Sequence, residues 1–179
     1  MEKIKNYLYE KTGMFIDWDQ LKNLPEINTL IDIGVGKKGT KDFYKRFNKS
    51  KLILIDPLME AKNFALENLS KRDYEFFQCA VGESNYSKKI NIEENISRSS
   101  LLKVTQVNYE GSPISERLVQ IRTVDSITSS LSELGDIGIK IDTEGYELNV
   151  IKGSINTLKK TKFVVAEVRH NHTSFEGQY

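Results

Sequence analysis

A doubly wound, mostly parallel α/β sheet is the fold this sequence predicts, and three observations predict it. Short apolar runs alternate with stretches of helical periodicity, as βαβ units require. The first run, Leu30-Ile31-Asp32-Ile33, ends in a glycine turn, Gly34-Val35-Gly36-Lys37-Lys38-Gly39, that leads directly into a helix-compatible segment. Asp32, Asp56, Cys79, Asp142 and Glu167 all fall at or near strand ends, and the rim at the carboxyl ends of the strands is where such sheets take their ligands.

Each element can be justified in order. Ile4, Tyr7 and Leu8 give the opening segment a short apolar stripe that Gly13 closes, and Trp18, Leu21 and Leu24 follow at helical spacing before Pro25. Residues 1–28 are therefore expected to form an N-terminal helical cap, and residues 29–179 a single domain. Thr40 to Phe47 is the first crossover helix, with Thr40 at its N-cap and Phe43, Tyr44 and Phe47 on one side. Lys51-Leu-Ile-Leu-Ile-Asp56 is a continuous apolar run ending in an acid, the pattern of a parallel strand buried on both faces, and Asp56-Pro57 turns the chain. A second helix is expected over Met59 to Leu69, and a third strand over Tyr74 to Val81, running into Gly82.

Between Glu83 and Ile121 the pattern weakens. Lys89-Ile-Asn-Ile-Glu93 and Leu118-Val-Gln-Ile121 have strand character, while Arg98 to Leu101 and Gly111 to Pro113 read as loop. The pattern then sharpens into a buried strand, Ile137 to Ile141, a polar turn, Asp142 to Gly145, and a helix, Glu147 to Leu158, with Val150, Ile151 and Leu158 inward. Lys162 to Val168 is the last predicted strand.

The chain's 179 residues, 39% of them hydrophobic, are enough for one core. With 26 basic and 25 acidic residues the net charge is +1, so no overall field draws the protein to nucleic acid or an anionic membrane. Cys79 is the only cysteine, which excludes an intramolecular disulfide and fits a cytoplasmic location. No run approaches the roughly 20 apolar residues of a membrane span. Nothing in the pattern fixes an oligomeric state.

The glycine turn carries the first functional signal. Gly34, Gly36 and Gly39 bring main-chain N–H groups close to a ligand at the sheet's rim. Their spacing also satisfies a dinucleotide fingerprint, with Asp56 at the distance of a ribose-binding acid. Asp32 argues for a different ligand, because a carboxylate two residues before Gly34 suits a cationic or amine-bearing molecule better than a pyrophosphate. S-adenosylmethionine carries both a sulfonium and an ammonium. On this reading Gly34, Gly36 and Gly39 hold its methionine part, Asp32 its ammonium and Asp56, beside Pro57, the two ribose hydroxyls, while Ala80 and Val81 border the adenine.

Methyl transfer is an in-line displacement at a carbon activated by the sulfonium, so a hydroxyl acceptor needs alignment and a base. Asp142 and Glu144 leave a buried strand at the rim and are the candidate bases, the alternative being that Asp142 or Thr143 merely caps the next helix. Glu147 is read as an acid favoured by that helix's first turn. Ser99 and Ser100 are candidate acceptor contacts. His170, in Arg169-His170-Asn171-His172, is a candidate base or substrate contact; alternate residues of an extended segment point apart, so no metal site is assigned to the two histidines.

Leu30-Ile-Asp32-Ile-Gly34-x-Gly36-x-x-Gly39, Ile55-Asp56-Pro57, Ala80-Val-Gly82, Ser99-Ser100-Leu101, Thr123-Val-Asp125 and Ile139-Lys-Ile-Asp142-Thr-Glu144-Gly145-Tyr-Glu147-Leu-x-Val-Ile-Lys-Gly153 together resemble the FkbM family of methyltransferases. The resemblance runs from Leu30 to Glu167, and its last block is the most specific part. It implies a class I, Rossmann-like methyltransferase fold, S-adenosylmethionine as cofactor, and O-methylation of a hydroxyl on a sugar, glycolipid or other small acceptor. It also implies that Asp142, Glu144 and Glu167 lie near the reaction centre. Two departures stand out: Val35 and Lys37-Lys38 replace the usual residues of the family's turn, and Asp56-Pro57 replaces a commoner Glu-Pro pair. Because the sequence stops at Tyr179, the C-terminal antiparallel strand pair of that fold is expected to be missing and the chain to be truncated. A cofactor-binding but non-catalytic module is the competing function.

Overall fold

In the computed structural model residues 21–103 and 114–167 can be described. The predicted first helical stripe, Trp18, the Gly111-Ser112-Pro113 loop and His170 lie outside them. Eight strands and five helices follow one another as β1 (Thr29–Ile33), α1 (Lys41–Arg46), β2 (Lys51–Ile55), α2 (Met59–Asn68), β3 (Tyr74–Phe77), β4 (Ala80–Val81), β5 (Tyr86–Ile92), β6 (Ser115–Arg122), α3 (Val124–Thr128), β7 (Ile137–Ile141), α4 (Glu147–Lys152), α5 (Ile155–Leu158) and β8 (Thr161–Ala166), counted among the described residues.

The main sheet has the order β3-β2-β1-β7-β8, with every pair parallel. Side chains alternate across a strand, so each strand feeds two cores. Leu30, Leu52 and Leu54 face Phe43 and Tyr44 of α1, Phe47 just past its end, and Phe64 of α2. Ile31, Ile33, Ile53, Ile55, Ile137, Ile139 and Ile141 face Val124 and Ile127 of α3 and Val150 of α4. Helices on both faces make the sheet doubly wound, as expected. The direction of winding reverses between β1 and β7, which opens a crevice at their carboxyl ends.

Two charges are buried within the strands of this sheet. Asp32 shares the α1 face with Leu30, and Lys140 shares it with Gly138; the parallel register of β1 and β7 sets Asp32 directly beside Lys140. Both are buried. Opposite charges at one register position satisfy each other where neither could stand alone.

The predicted strand over Tyr74 to Val81 is two strands. The Cys79 N–H donates back to the Phe77 carbonyl at 3.0 Å, a tight reversal that swings the chain out of the main sheet. β4 then pairs in parallel with β6, and β5 pairs antiparallel with β6, forming a second, three-stranded sheet. Ile90, Ile92, Val119 and Ile121 of that sheet pack with Leu58, Leu101 and Tyr146 over the crevice. Of the weakly patterned stretch, the described strands 86–92 and 115–122 thus belong to this second sheet.

The predicted helix over Glu147 to Leu158 is also divided, at Gly153-Ser154. A Cβ on Gly153 would lie 2.0 Å from the Gly82 carbonyl oxygen, so the chain passes there at backbone contact with the end of β4. Beyond it the Asp125 carboxylate accepts from the Asn156 and Thr157 N–H groups at 2.9 and 2.8 Å and re-aims the second piece as α5. Thr40 stands at the N-cap of α1, but its hydroxyl makes no capping hydrogen bond. No described helix is long and apolar enough to cross a membrane.

Candidate functional site

The crevice between β1, β2 and β7 holds a cavity in which a water-sized sphere can reach about 230 Å³. Its walls are built from strand ends. Gly34 to Gly36 follow β1, Asp56 and Pro57 follow β2, Ala80 and Val81 form β4, and Asp142 to Glu144 follow β7. Ile96, Ser97 and Ser99, in and after a single 3₁₀ turn (Ile96–Arg98), close the side that faces the second sheet.

The glycine turn is shaped by contact with the acid turn opposite. Gly34, at φ +80°, lies so close to β7 that a Cβ there would be 1.7 Å from the Asp142 carbonyl oxygen. Gly36, at φ +62°, is less crowded: its nearest neighbour would be the Ser97 hydroxyl, 3.4 Å away. The Gly36 N–H donates to Asp56 Oδ2 at 2.9 Å, and the Leu58 N–H donates to Asp56 Oδ1 at 2.8 Å. Asp56 is thereby fixed at the cavity wall, with lone pairs left on both oxygens. Burial pushes its carboxyl up to about 6, although both amide bonds pull the other way. Burial likewise raises the neighbouring Cys79 thiol, to about 11, so at neutral pH it is protonated and lines the cavity as a small apolar group.

Asp32 lies beneath this wall and does not line the cavity. The Tyr44 hydroxyl donates to its Oδ2, and its Oδ1 lies 3.1 Å from Lys140 Nζ, held there by charge rather than by an aligned hydrogen bond. Lys140 itself does reach the cavity. Its ammonium donates to the Gly34 carbonyl at 2.8 Å and lies 3.4 Å from Asp142 Oδ2. Burial opposes its charge, but Asp32 and Asp142 outweigh this and hold its pKa above that of an ordinary lysine. Lys140 therefore ties the glycine turn, the buried acid and the rim acid together.

The acid turn is held from within. Glu147 Oε1 accepts from the Thr143 N–H at 2.9 Å, the Thr143 hydroxyl at 3.1 Å and the Gly145 N–H at 3.1 Å. Glu144 has a left-handed backbone, φ +52°, followed by Gly145 at +99°. The N-cap of α4 is Tyr146, without a side-chain capping bond, so neither Asp142 nor Thr143 caps that helix. Asp142 and Glu144 both line the cavity.

The candidate acceptor residues separate. Ser99 lines the cavity. Ser100 is buried outside it: its hydroxyl donates to the Glu144 carbonyl at 2.7 Å and accepts from the Leu102 N–H at 3.1 Å, which ties the 3₁₀ segment to the acid turn. Glu167 continues the β7–β8 ladder through its N–H to the Ile141 carbonyl at 3.0 Å and is not part of the lining. Gly34, Gly36, Gly39, Asp56, Pro57, Ala80, Val81, Asp142 and Glu144 all meet at the one cavity. Lys140 and Tyr146 also line it and were not singled out from the sequence; a lone lysine amid Ile137-Gly-Ile-Lys-Ile141 was the available signal. Among the described residues no cluster of three or more His, Cys, Asp or Glu side chains is arranged to hold a metal.

Comparisons with known proteins bear on this architecture. The model of the methyltransferase FkbM domain matches residues 32–179. A search of curated proteins found no match. Among solved structures, the methyltransferase FkbM of Methylobacillus flagellatus KT is similar in fold, with a TM-score of 0.53 at 15% identity. The similarity covers 93% of this chain and 37% of that one, so the chain spans little more than a third of the length of that relative.

Proposed function

The chain belongs to the FkbM methyltransferase family, and on that premise we propose that it is an S-adenosylmethionine-dependent methyltransferase acting on a hydroxyl of a sugar, glycolipid or other small acceptor. One observation carries the reading: Asp56, anchored by two backbone amides, Asp142 to Glu144 of the acid turn and the glycines of the turn after β1 line one cavity. Asp56 has free lone pairs for a ribose diol, and Ala80 and Val81 offer an apolar edge for adenine. Asp32 sits behind Lys140, so in this reading it positions the site through that lysine, and the cofactor's ammonium falls to rim acids such as Asp142 and Glu144. The cofactor supplies the activated methyl group. The chain's residues orient it and, through Asp142 or Glu144, accept the acceptor's proton.

Calorimetry with S-adenosylmethionine and S-adenosylhomocysteine tests the reading, and absence of heat with both would refute it. Asp56 adds a pH signature. Hydroxyl donors favour the carboxylate, so affinity for S-adenosylhomocysteine should fall as pH drops through about 6. Below that midpoint the fall approaches roughly tenfold per pH unit. In the empty protein the sign is reversed: the folded state keeps this proton to about 6, whereas an unfolded aspartate loses it near 3.9, so Asp56's contribution to stability declines as pH rises across that window. Affinities measured between about pH 5 and pH 8 would check the first statement, and a flat profile would remove Asp56 from the ribose site. With an acceptor in hand and the cofactor saturating, Asp142→Asn should lower kcat by a factor on the order of 100 or more. Full turnover in that variant would shift the base to Glu144.

A further inference from the structure

Among the described residues, Lys38 is a cavity-lining cation with no ion-pair or hydrogen-bond partner. Three acids, Asp56, Asp142 and Glu144, and two lysines, Lys38 and Lys140, line the cavity. Lys140 is buried and committed to Asp32, Asp142 and the Gly34 carbonyl. Lys38 is exposed on the glycine turn between Gly36 and Gly39. A zwitterionic amino-acid ligand has two opposite demands on such a cavity: its ammonium is satisfied by rim acids, but its carboxylate would face those same acids unless a cation stood nearby. The glycine turn is the part of the wall where the methionine end would lie.

Resting on the S-adenosylmethionine reading above, we infer that Lys38 binds the α-carboxylate of the cofactor's methionine moiety, as a salt bridge made across the mouth of the cavity by the turn that carries it. The lysine thereby selects ligands with an intact amino-acid end over those that share only the nucleoside and the thioether.

The test compares two ligands that differ in one group, S-adenosylhomocysteine and its decarboxylated counterpart, against the wild-type chain and Lys38→Ala by calorimetry at low salt. Lys38 is exposed, so the substitution removes no core contact. Lys38→Ala should weaken S-adenosylhomocysteine about tenfold and leave the decarboxylated ligand unchanged, with Lys38→Arg restoring most of the loss. Added salt should shrink the difference. Equal affinities of the wild type and Lys38→Ala for S-adenosylhomocysteine overturn the assignment of Lys38 alone, as does an equal loss for both ligands. If the wild type binds neither ligand, the cofactor reading fails and takes this inference with it.

Discussion

Gly34→Ala is expected to cost on the order of 4 kcal/mol of folding stability, among the largest losses a single methyl group can cause in this chain. The added carbon would sit 1.7 Å from the Asp142 carbonyl oxygen and 2.7 Å from its carbonyl carbon, both backbone atoms that cannot step aside as a side chain can. The residue also has φ +80°, which alanine adopts only under strain. Relief requires β1 and β7 to part at their carboxyl ends, where the Asp142 N–H donates to the Ile33 carbonyl at 2.9 Å. For a domain of this size a loss of that order corresponds to a melting temperature lower by roughly 10 °C. Gly36→Ala is the matched control: it has a similar φ, +62°, but its nearest contact would be a hydroxyl at 3.4 Å. That variant should lose only about 1–2 kcal/mol, the cost of the backbone angle. Equal melting temperatures for the two variants would mean that the strand ends are not in contact in solution.

Lys140→Met is expected to cost about 3–5 kcal/mol, because it leaves Asp32 buried in the sheet with the Tyr44 hydroxyl but without a countercharge. Asp32→Asn in the same chain should return most of that stability, since the pair would then be replaced by neutral groups in a packed setting. The measurement is urea unfolding of the wild type, both single variants and the double variant. Additive losses would contradict the pairing. The wild-type pair has a defined pH range. Lys140 has a folded pKa above the ordinary lysine value, so its contribution is fully present at neutral pH and disappears only as pH rises through that raised value.

The same pair shows how far the site was legible in the sequence. Asp32 and Lys140 were visible as single charges in otherwise apolar strands, and a doubly wound sheet makes the strands that carry them neighbours. Their register, and therefore their mutual burial, follows from side chains alternating with period two, which also explains why Asp32 points toward α1 rather than into the cavity. Asp56 and the acid turn were legible because each is a polar residue that ends a fully buried strand. The division of the strand after Phe77 was not, since apolar residues flank Gln78 on both sides and the turn there carries no glycine or proline. Ser100 read as a ligand contact because a loop serine has no periodic neighbours, and its bond to the Glu144 carbonyl depends on a fold contact 44 residues away in sequence. Gly153 could be seen as a glycine inside a helix, but its reason, the close pass over Gly82, lies between elements whose packing the local pattern does not encode.

Glu147 has a consequence beyond the hydrogen bonds it accepts. Its carboxylate takes three donors, all from Thr143 and Gly145, so the loop that presents Asp142 and Glu144 is braced from within as well as by Ser100 and Ile33. Such a loop needs no ligand to set its shape. The entropy of ordering the loop's backbone is met during folding, so an arriving ligand would encounter a wall whose main chain is already set.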